Sequence, residues 1–195
     1  MSMSEPLSTY IEQSIRDSIA TKQTLLDLQP QIAAAAQLLV DCYKKGGKSI
    51  FFGNGGSAAD AQHFAAEFES RFAFDRPPLP SLALHANTST VTAVGNDYGY
   101  DQLFARTLRA HAKPGDVAIA ISTSGTSKNV MAAARIVKEL DIRLIALTGE
   151  NKGPLGEFAD VSIAVPSKIT ARIQECHGLV GHMLCGWVEL AMFEK

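Results

Sequence analysis

The sequence predicts an α/β fold in which a parallel sheet carries helices on both faces. Five short apolar runs alternate along the chain with segments whose apolar residues recur at helical spacing. No two successive runs are joined only by a hairpin dipeptide, so each connection has room for the crossover helix that parallel strands require. The length of 195 residues and the 46% hydrophobic content fit a single globular domain spanning residues 1–195.

The charge, the cysteines and the N-terminus exclude several classes of protein. A net charge of −2 gives no electrostatic basis for nucleic acid or a membrane surface as the main partner. The three cysteines include no C-x-x-C pair, so neither a disulfide framework nor a cysteine zinc site is predicted. Residues 1–21 lack the apolar core of a signal peptide, and no apolar run reaches the roughly 18 residues of a membrane span. We therefore expect a cytoplasmic protein with buried, unreactive thiols.

Two helices are predicted ahead of the first strand. Apolar residues recur at a loose helical period over residues 8–28, and again over residues 31–43 after Pro30. The second helix should end at Gly46-Gly47, just after two lysines in its last turn. Because these helices have little sheet to cover, we expect residues 8–45 to contribute to contacts with a neighbouring subunit.

The first strand leads into a glycine-rich turn. The apolar run 48–52 is followed by the glycine turn, defined here as Gly53-Asn54-Gly55-Gly56-Ser57, and by a helical pattern over residues 58–71. Glycine permits positive φ and close approach of a ligand, and the N–H groups of a helix start favour an anion such as phosphate. The spacing matches neither G-x-G-x-x-G nor G-x-x-x-x-G-K-[ST], so no dinucleotide or Walker-type site is predicted. The alternative is a plain strand-to-helix turn.

The middle of the chain continues the alternation. A proline-rich loop at 75–80 precedes a short strand at 81–85. The segment Asn87-Thr88-Ser89 should open a short helix by its capping side chains, and segment 95–100 should interrupt it before a further helix over residues 102–111. A turn then leads into the third apolar run, at 117–121.

The third strand ends in a run of hydroxyl residues. This hydroxyl turn is defined here as Ser122-Thr123-Ser124-Gly125-Thr126-Ser127. It contains no lysine or arginine, so it would hold a phosphate by hydrogen bonds and by the dipole of the helix predicted at 128–140. The alternative is that the hydroxyls only cap that helix. One residue suffices for a cap, so the run favours a ligand.

Two further strands and a long helix complete the pattern. The strands are predicted at 143–147 and 161–165, and the helix at 171–193.

Two of the predicted helices carry residues that suit metal binding or acid–base chemistry. His63 and Glu67 lie four residues apart and so share one helix face, although such a pair taken alone is usually a surface pair. The last helix adds Gln174, His177 and His182 among apolar and small residues. His182 is either a core histidine with one hydrogen bond or a catalytic or metal-bound imidazole, and spacing does not choose between them.

Five motifs in this order resemble the phosphoheptose isomerase family, within the sugar-isomerase (SIS) domain class. They are Gly53-Asn54-Gly55-Gly56-Ser57, His63-x-x-x-Glu67, Gly95-Asn96-Asp97-Tyr98-Gly99, Ser122-Thr123-Ser124-Gly125-x-Ser127, and Arg172-Ile173-Gln174-Glu175-x-His177 with His182. The resemblance runs from about Gly46 to the C-terminus. It implies a three-layer, flavodoxin-like SIS fold with a five-stranded parallel sheet, and a homotetramer with active sites between subunits.

The resemblance also implies an activity, the aldose–ketose isomerisation of sedoheptulose 7-phosphate to D-glycero-D-manno-heptose 7-phosphate. This is the first step toward the heptose of bacterial lipopolysaccharide or capsule. By resemblance, the phosphate would be held by Ser122, Thr123, Ser124 and Ser127. The sugar would be lined by Asn54, Gly55, Gly56, Ser57, Asn96, Asp97 and Gln174. One zinc ion (Zn2+) per subunit would be bound by His63, Glu67, Gln174 and His182, with Glu67 and His182 also forming the acid–base pair.

The residue chemistry supports an isomerase, but two other functions are compatible with the fold. Moving a carbonyl between neighbouring carbons needs a base for a carbon-bound proton, an enediol intermediate and proton transfer at the oxygens, which a carboxylate and an imidazole supply. The main alternative is a non-catalytic SIS paralogue that binds a replication initiator protein, in which the position of Glu67 need not be acidic. A second is a sugar-phosphate sensor, which needs the phosphate turns without the acid–base pair. The presence of both Glu67 and His182 favours the enzyme.

Overall fold

One five-stranded sheet forms the centre of the molecule. A computed structural model of the chain describes residues 6–194, so the predicted domain limits at 1 and 195 lie outside the described residues. The strands are β1 Ser49–Gly53, β2 Ser81–Ala83, β3 Val117–Ser122, β4 Arg143–Gly149 and β5 Val161–Val165. All neighbouring strands are parallel, in the order β2-β1-β3-β4-β5. The predicted α/β fold with a five-stranded parallel sheet is confirmed.

Helices cover both faces of this sheet. They are α1 Leu7–Gln23, α2 Gln29–Lys44, α3 Gly56–Glu69, α4 Thr88–Tyr98, α5 Leu103–His111, α6 Lys128–Glu139, α7 Gly153–Phe158 and α8 Thr170–Phe193, with 3₁₀ turns at Thr24–Leu28 and Tyr100–Gln102. Buried residues of α2, α3 and α8 form one core, and those of α4 to α7 form the other. The helix α1 lies outside the first layer, against α8.

The central strands β1, β3 and β4 have apolar interiors because both faces of the sheet are covered. Along β3, Val117, Ile119 and Ile121 enter the first core, whereas Ala118 and Ala120 enter the second. Successive side chains of a strand point to opposite faces, so a strand buried on both sides has no polar alternation. This is why the sequence shows continuous apolar runs.

Most predicted elements agree with the structure, and the exceptions have local causes. Asn87 caps α4, its side-chain oxygen accepting a hydrogen bond from the N–H of Thr90 at 3.1 Å. The predicted interruption from Gly95 is wrong, because α4 continues to Tyr98 and breaks only at Gly99, where φ is +85°. Core packing by Val94 holds this turn helical despite the low propensity of glycine. The strand predicted at 81–85 ends at 83, and the short helix α7 was not predicted.

An apolar groove remains open between α8 and the N-terminal helices. It has a volume of about 850 Å³, and its walls include Leu26, Ile32, Met183 and Trp187. Trp187 is 55% exposed at this surface. The helix α1 itself buries none of its residues in the described chain.

The cysteines agree with the prediction of buried thiols. Cys42, Cys176 and Cys185 are all free and buried. Burial raises the pKa of Cys42 to about 11, and it also raises the pKa values of Cys176 and Cys185. Within residues 6–194, no helix combines the length and the apolar character needed to cross a membrane.

Candidate active site

The glycine turn and the hydroxyl turn lie side by side at the carboxyl edge of the sheet. The strands β1 and β3 are neighbours, with Gly53 paired in register with Ile121, the residue before Ser122. The strand order reverses here, since β2 and β3 lie on opposite sides of β1. In open parallel sheets, ligands bind at this kind of switch point.

Close approaches of protein groups account for two glycines of the glycine turn. A Cβ at Gly53 would lie 2.7 Å from the carbonyl oxygen of Ile121. A Cβ at Gly56 would lie 2.3 Å from Nε2 of Gln174, so the Gln174 carboxamide covers the start of α3. Gly55 has φ of +55°, and both Gly55 and Gly56 are exposed toward the crevice. Ser57, predicted to line the sugar, is only 7% exposed.

The structure brings together the imidazoles of His63 and His182, which are 119 residues apart. Their Nε2 atoms are 2.9 Å apart, and the rings meet edge to face. Glu67 Oε1 lies 3.5 Å from the same nitrogen of His63. His182 is only partly buried, so it is not a core histidine. The carboxylate of Glu67 and the imidazole of His182 therefore both lie within contact distance of His63, between α3 and α8.

Tight packing between α3 and α8 holds the imidazoles together. A Cβ at Gly181 would lie 2.0 Å from Cζ of Phe64, whose side chain is 1% exposed. The missing side chain lets the phenyl ring lie directly on α8. His63 and His182 are the sequence neighbours of these two residues, so the same contact sets their separation.

Asp60 joins this group, although it belongs to none of the five motifs. Its Oδ2 atom is buried without a hydrogen-bond partner. Burial raises the pKa of Asp60, while the Gln174 amide and the charges of His63 and His182 act in the opposite direction. Its position one turn before His63 on α3 was the available signal.

The hydroxyl turn does not use its serines as a simple helix cap. Ser127 occupies the N-cap position of α6 but makes no side-chain capping bond. Its Oγ lies 3.2 Å from Oγ of Ser122. Ser124 Oγ accepts from the N–H and the hydroxyl of Thr126, at 3.3 and 3.1 Å. The hydroxyls of Ser122 and Ser127 thus remain turned toward each other rather than into the helix.

A small polar pocket opens beside the hydroxyl turn. It has a volume of about 280 Å³ and is lined in part by Thr123, Ser124, Glu150 and Lys168. Lys168 Nζ lies 3.6 Å from Glu150 Oε1, and the lysine side chain is 84% exposed. The cation missing from the turn in sequence is thus present beside it, from a loop that no motif singled out.

Two predicted site residues lie apart from this group. Asn96 and Asp97 are on the exposed last turn of α4, where Asn96 Nδ2 donates to Asp97 Oδ1 at 2.8 Å. Tyr100 follows them in the chain and does reach the crevice, where its hydroxyl donates to Asn54 Oδ1 at 3.2 Å.

A buried ion pair fixes the loop after α3. Arg76 Nε lies 2.9 Å from Glu189 Oε2, and both side chains are at most 2% exposed. Glu189 also accepts backbone N–H bonds from residues 72–74, and Arg76 donates to the carbonyl oxygen of Glu67. Burial opposes ionisation of Glu189, but these donors outweigh it and lower its pKa. This pair holds the loop that places Phe72 against His182.

His177, the remaining histidine of the α8 motif, belongs to the core. It is fully buried, with Nε2 3.0 Å from the carbonyl oxygen of Thr148. Burial lowers its pKa to about 4, and the hydrogen bond offsets this only in part.

The donor chemistry of the imidazole group fits a zinc ion. Two nitrogen ligands of tetrahedral zinc lie about 3.3 Å apart, given bonds of roughly 2.0–2.1 Å, close to the separation of the His63 and His182 nitrogens. Glu67 offers an oxygen beside His63, and the Gln174 amide lies against the start of the same helix, α3. In residues 6–194, however, no three His, Cys, Asp or Glu side chains are already gathered as a metal site. The imidazole contact is also consistent with a hydrogen bond between the two rings.

The chain is similar to several known proteins. A family profile described as the SIS domain matches residues 11–149. A curated relative, phosphoheptose isomerase 2 of Campylobacter jejuni, is 48% identical over 194 residues, covering 98% of this chain and 96% of that protein. The phosphoheptose isomerase of Rhodospirillum rubrum is 52% identical, covering 85% of this chain and 88% of that protein.

A solved structure gives the same result in three dimensions. The phosphoheptose isomerase of Neisseria gonorrhoeae superimposes with a TM-score of 0.89 at 41% sequence identity. The match covers 94% of this chain and 99% of that one.

Proposed function

This chain belongs to the phosphoheptose isomerase family of SIS-domain proteins, and from that membership we infer that it interconverts sedoheptulose 7-phosphate and D-glycero-D-manno-heptose 7-phosphate. It is an aldose–ketose isomerase. The observation that carries the proposed mechanism is the meeting of Glu67, His63 and His182 between α3 and α8. The relatives compared here are themselves named phosphoheptose isomerases, which gives no support to the replication-initiator alternative.

The reaction needs one base at carbon and proton transfer at two oxygens. We assign the carbon-bound proton to Glu67: its carboxylate takes the proton from C1 of the ketose and returns it at C2, with a cis-enediol between the two steps. Its side chain is 22% exposed, so it can reach a bound sugar while partly shielded from water. His182 then moves protons between the O1 and O2 atoms of the substrate, with His63 as its neighbour 2.9 Å away.

A zinc ion held by His63, Glu67, Gln174 and His182 is part of the proposal. When bound, it would supply Lewis-acid polarisation of a substrate oxygen. A carboxylate that binds metal tightly is a weaker base, so Glu67 serves both roles only if one of its oxygens stays free. The role of Glu67 as base does not depend on the metal.

The phosphate is assigned to the hydroxyl turn. Ser122, Thr123, Ser124 and Ser127 would donate hydrogen bonds, and the N-terminus of α6 would supply its positive dipole. The absence of a capping bond from Ser127 supports this role, because its hydroxyl is not consumed by the helix. The remaining sugar contacts are assigned to Asn54, Gly55, Gly56, Ser57, Asn96, Asp97 and Gln174.

We further propose a cytoplasmic homotetramer with active sites between subunits, serving heptose precursor synthesis for lipopolysaccharide or capsule. The open apolar groove and the α1 helix supply surface for such an assembly. Free buried thiols suit a reducing compartment.

The decisive experiment measures turnover of sedoheptulose 7-phosphate by the purified protein, with and without a chelator. We expect turnover from wild type, and a loss of about 100-fold or more in kcat for Glu67→Gln. Glu69→Gln is the matched control, since it removes an exposed carboxylate at the end of the same helix. Near-normal turnover by Glu67→Gln would remove Glu67 from the mechanism. Turnover lost on chelation and restored by zinc would support the metal, and a folded wild type without turnover would favour the initiator-binding paralogue.

A further inference from the structure

We propose that Asn129 is a positioning residue that fixes Asn54 as a hydrogen-bond donor toward the substrate. Asn129 lies in the first turn of α6, is 3% exposed, and belongs to none of the motifs that marked the site. The proposal rests on the proposed isomerase function for its consequence in catalysis. Its geometry stands on four hydrogen bonds, three to Asn54 and one from the Val130 N–H to Asn129.

The carboxamides of Asn54 and Asn129 pair reciprocally. Asn54 Nδ2 donates to Asn129 Oδ1 at 2.8 Å, and Asn129 Nδ2 donates to Asn54 Oδ1 at 2.8 Å. Taken alone, the pair would be equally well satisfied if both amides were turned over. A third hydrogen-bonding group is needed to fix the positions of the oxygen and the nitrogen in each amide.

The backbone of α6 supplies that group and fixes the orientation of the Asn129 amide. The N–H of Val130 donates to Asn129 Oδ1 at 2.9 Å. A backbone N–H can only donate, so the atom of Asn129 that faces it must be the oxygen. Asn129 Nδ2 is thereby directed at Asn54, and only the carbonyl oxygen of Asn54 can accept from it.

The orientation leaves Asn54 with only donor capacity. Its carbonyl oxygen accepts from Asn129 and from the Tyr100 hydroxyl at 3.2 Å, which uses both lone pairs. One N–H of its Nδ2 is bound to Asn129, and the other is left for a ligand in the crevice. A fixed N–H suits a carbonyl oxygen or the developing negative charge of an enediolate, and it does not serve a hydroxyl that needs an acceptor.

A double-mutant cycle tests whether Asn129 acts through Asn54. We expect Asn129→Ala to lower kcat/KM by about tenfold, as for loss of a hydrogen bond that aligns a catalytic contact. In an Asn54→Ala background, the same change should cost less than about twofold, since the residue it positions is gone. An equal loss in both backgrounds would overturn the proposal.

A matched pair of tyrosine variants tests the hydrogen bond from the Tyr100 hydroxyl to Asn54 Oδ1. Tyr100→Phe removes the hydroxyl that reaches Asn54 and should lower kcat/KM by about two- to threefold. Tyr98→Phe is the control, because Tyr98 is similarly exposed and keeps its ring contact with Arg106 as phenylalanine. Equal behaviour of the two variants would count against the proposal.

A measurement without substrate separates this proposal from the proposed function. With nitrogen-15 in the asparagine side chains, the Asn54 amide signals are assigned by their loss in Asn54→Ala. Wild type should show one slowly and one rapidly exchanging proton, and Asn129→Ala should make both rapid. Two rapidly exchanging protons in wild type would overturn the proposal. A wild type with the expected exchange but no turnover would instead overturn the isomerase function.

Discussion

Replacing Gly181 with alanine should move the two imidazoles of the candidate site apart. The new Cβ would lie 2.0 Å from Phe64 Cζ, whereas ordinary contact begins at 3.4 Å, so a shift of at least about 1.4 Å is required. Cζ lies on the axis of ring rotation, so turning the phenyl ring does not relieve the clash. The ring is also packed against Phe51 in the filled core, with centroids 6.0 Å apart. The helix α8 must therefore move away from α3.

The energetic cost follows from overpacking. Forcing an extra carbon into a filled core costs about 1–3 kcal/mol, and this clash belongs at the upper end. Alanine regains about 1 kcal/mol of helix propensity over glycine. We expect Gly181→Ala to lower the free energy of unfolding by about 2 kcal/mol and to lower kcat by more than this loss of stability explains, because the imidazole contact opens.

Denaturant unfolding and turnover of the folded variant are the two measurements. Gly178→Ala is the matched control, since it lies on the same helix and its Cβ would meet nothing within 4 Å. That variant should gain up to about 1 kcal/mol and keep its turnover. If Gly181→Ala matched Gly178→Ala in both measurements, the contact with Phe64 would not set the geometry of the site.

Three further results are expected. Ser124→Ala should raise KM for the sugar phosphate more than it lowers kcat; an unchanged KM would show that the turn is only structural. Glu189→Gln should destabilise the fold by about 3–5 kcal/mol in denaturant unfolding, because it leaves Arg76 buried without a counter-charge; a loss below 1 kcal/mol would contradict this. His177 has a folded pKa of about 4 against 6.5 when unfolded, so the unfolded chain binds more protons and stability is lost as pH falls from 6.5 toward 4. His177→Gln should therefore show a smaller drop in stability between pH 7 and pH 4.5 than wild type, by about 2 kcal/mol, and an identical drop would refute the assignment.

The fold class could be predicted from the sequence because the spacing of apolar residues reflects which side chains are buried. The runs at β1, β3 and β4 are apolar on both faces and alternate with helical patterns, which leaves few arrangements other than a covered parallel sheet. The failures were local. Gly95 was interpreted as the end of a helix, but packing of the neighbouring Val94 in the core keeps α4 helical through this residue. The helix α7 was missed because six residues are too few to show a helical period.

The sequence indicated candidate residues for the site, but it did not indicate how they lie relative to one another. His63 and His182 meet because of a contact between a glycine and a phenyl ring on different helices, and nothing in either local sequence states that distance. Asn129 was missed for a related reason, since its partner lies 75 residues away and a buried asparagine in a helix has no motif of its own. The resemblance supplied residue types, and the structure supplied their mutual positions.

The buried cysteines bear on how the protein meets oxidants. A thiol reacts as its thiolate, and with a pKa of about 11 the anion of Cys42 is about one part in ten thousand at neutral pH. The pKa values of the other two thiols are also raised, and all three lie out of contact with water. Disulfides and thiol-directed alkylating agents therefore find no reactive thiol while the chain is folded. Thiol oxidation should therefore not switch the proposed isomerase activity, and thiol labelling should report unfolding rather than regulation.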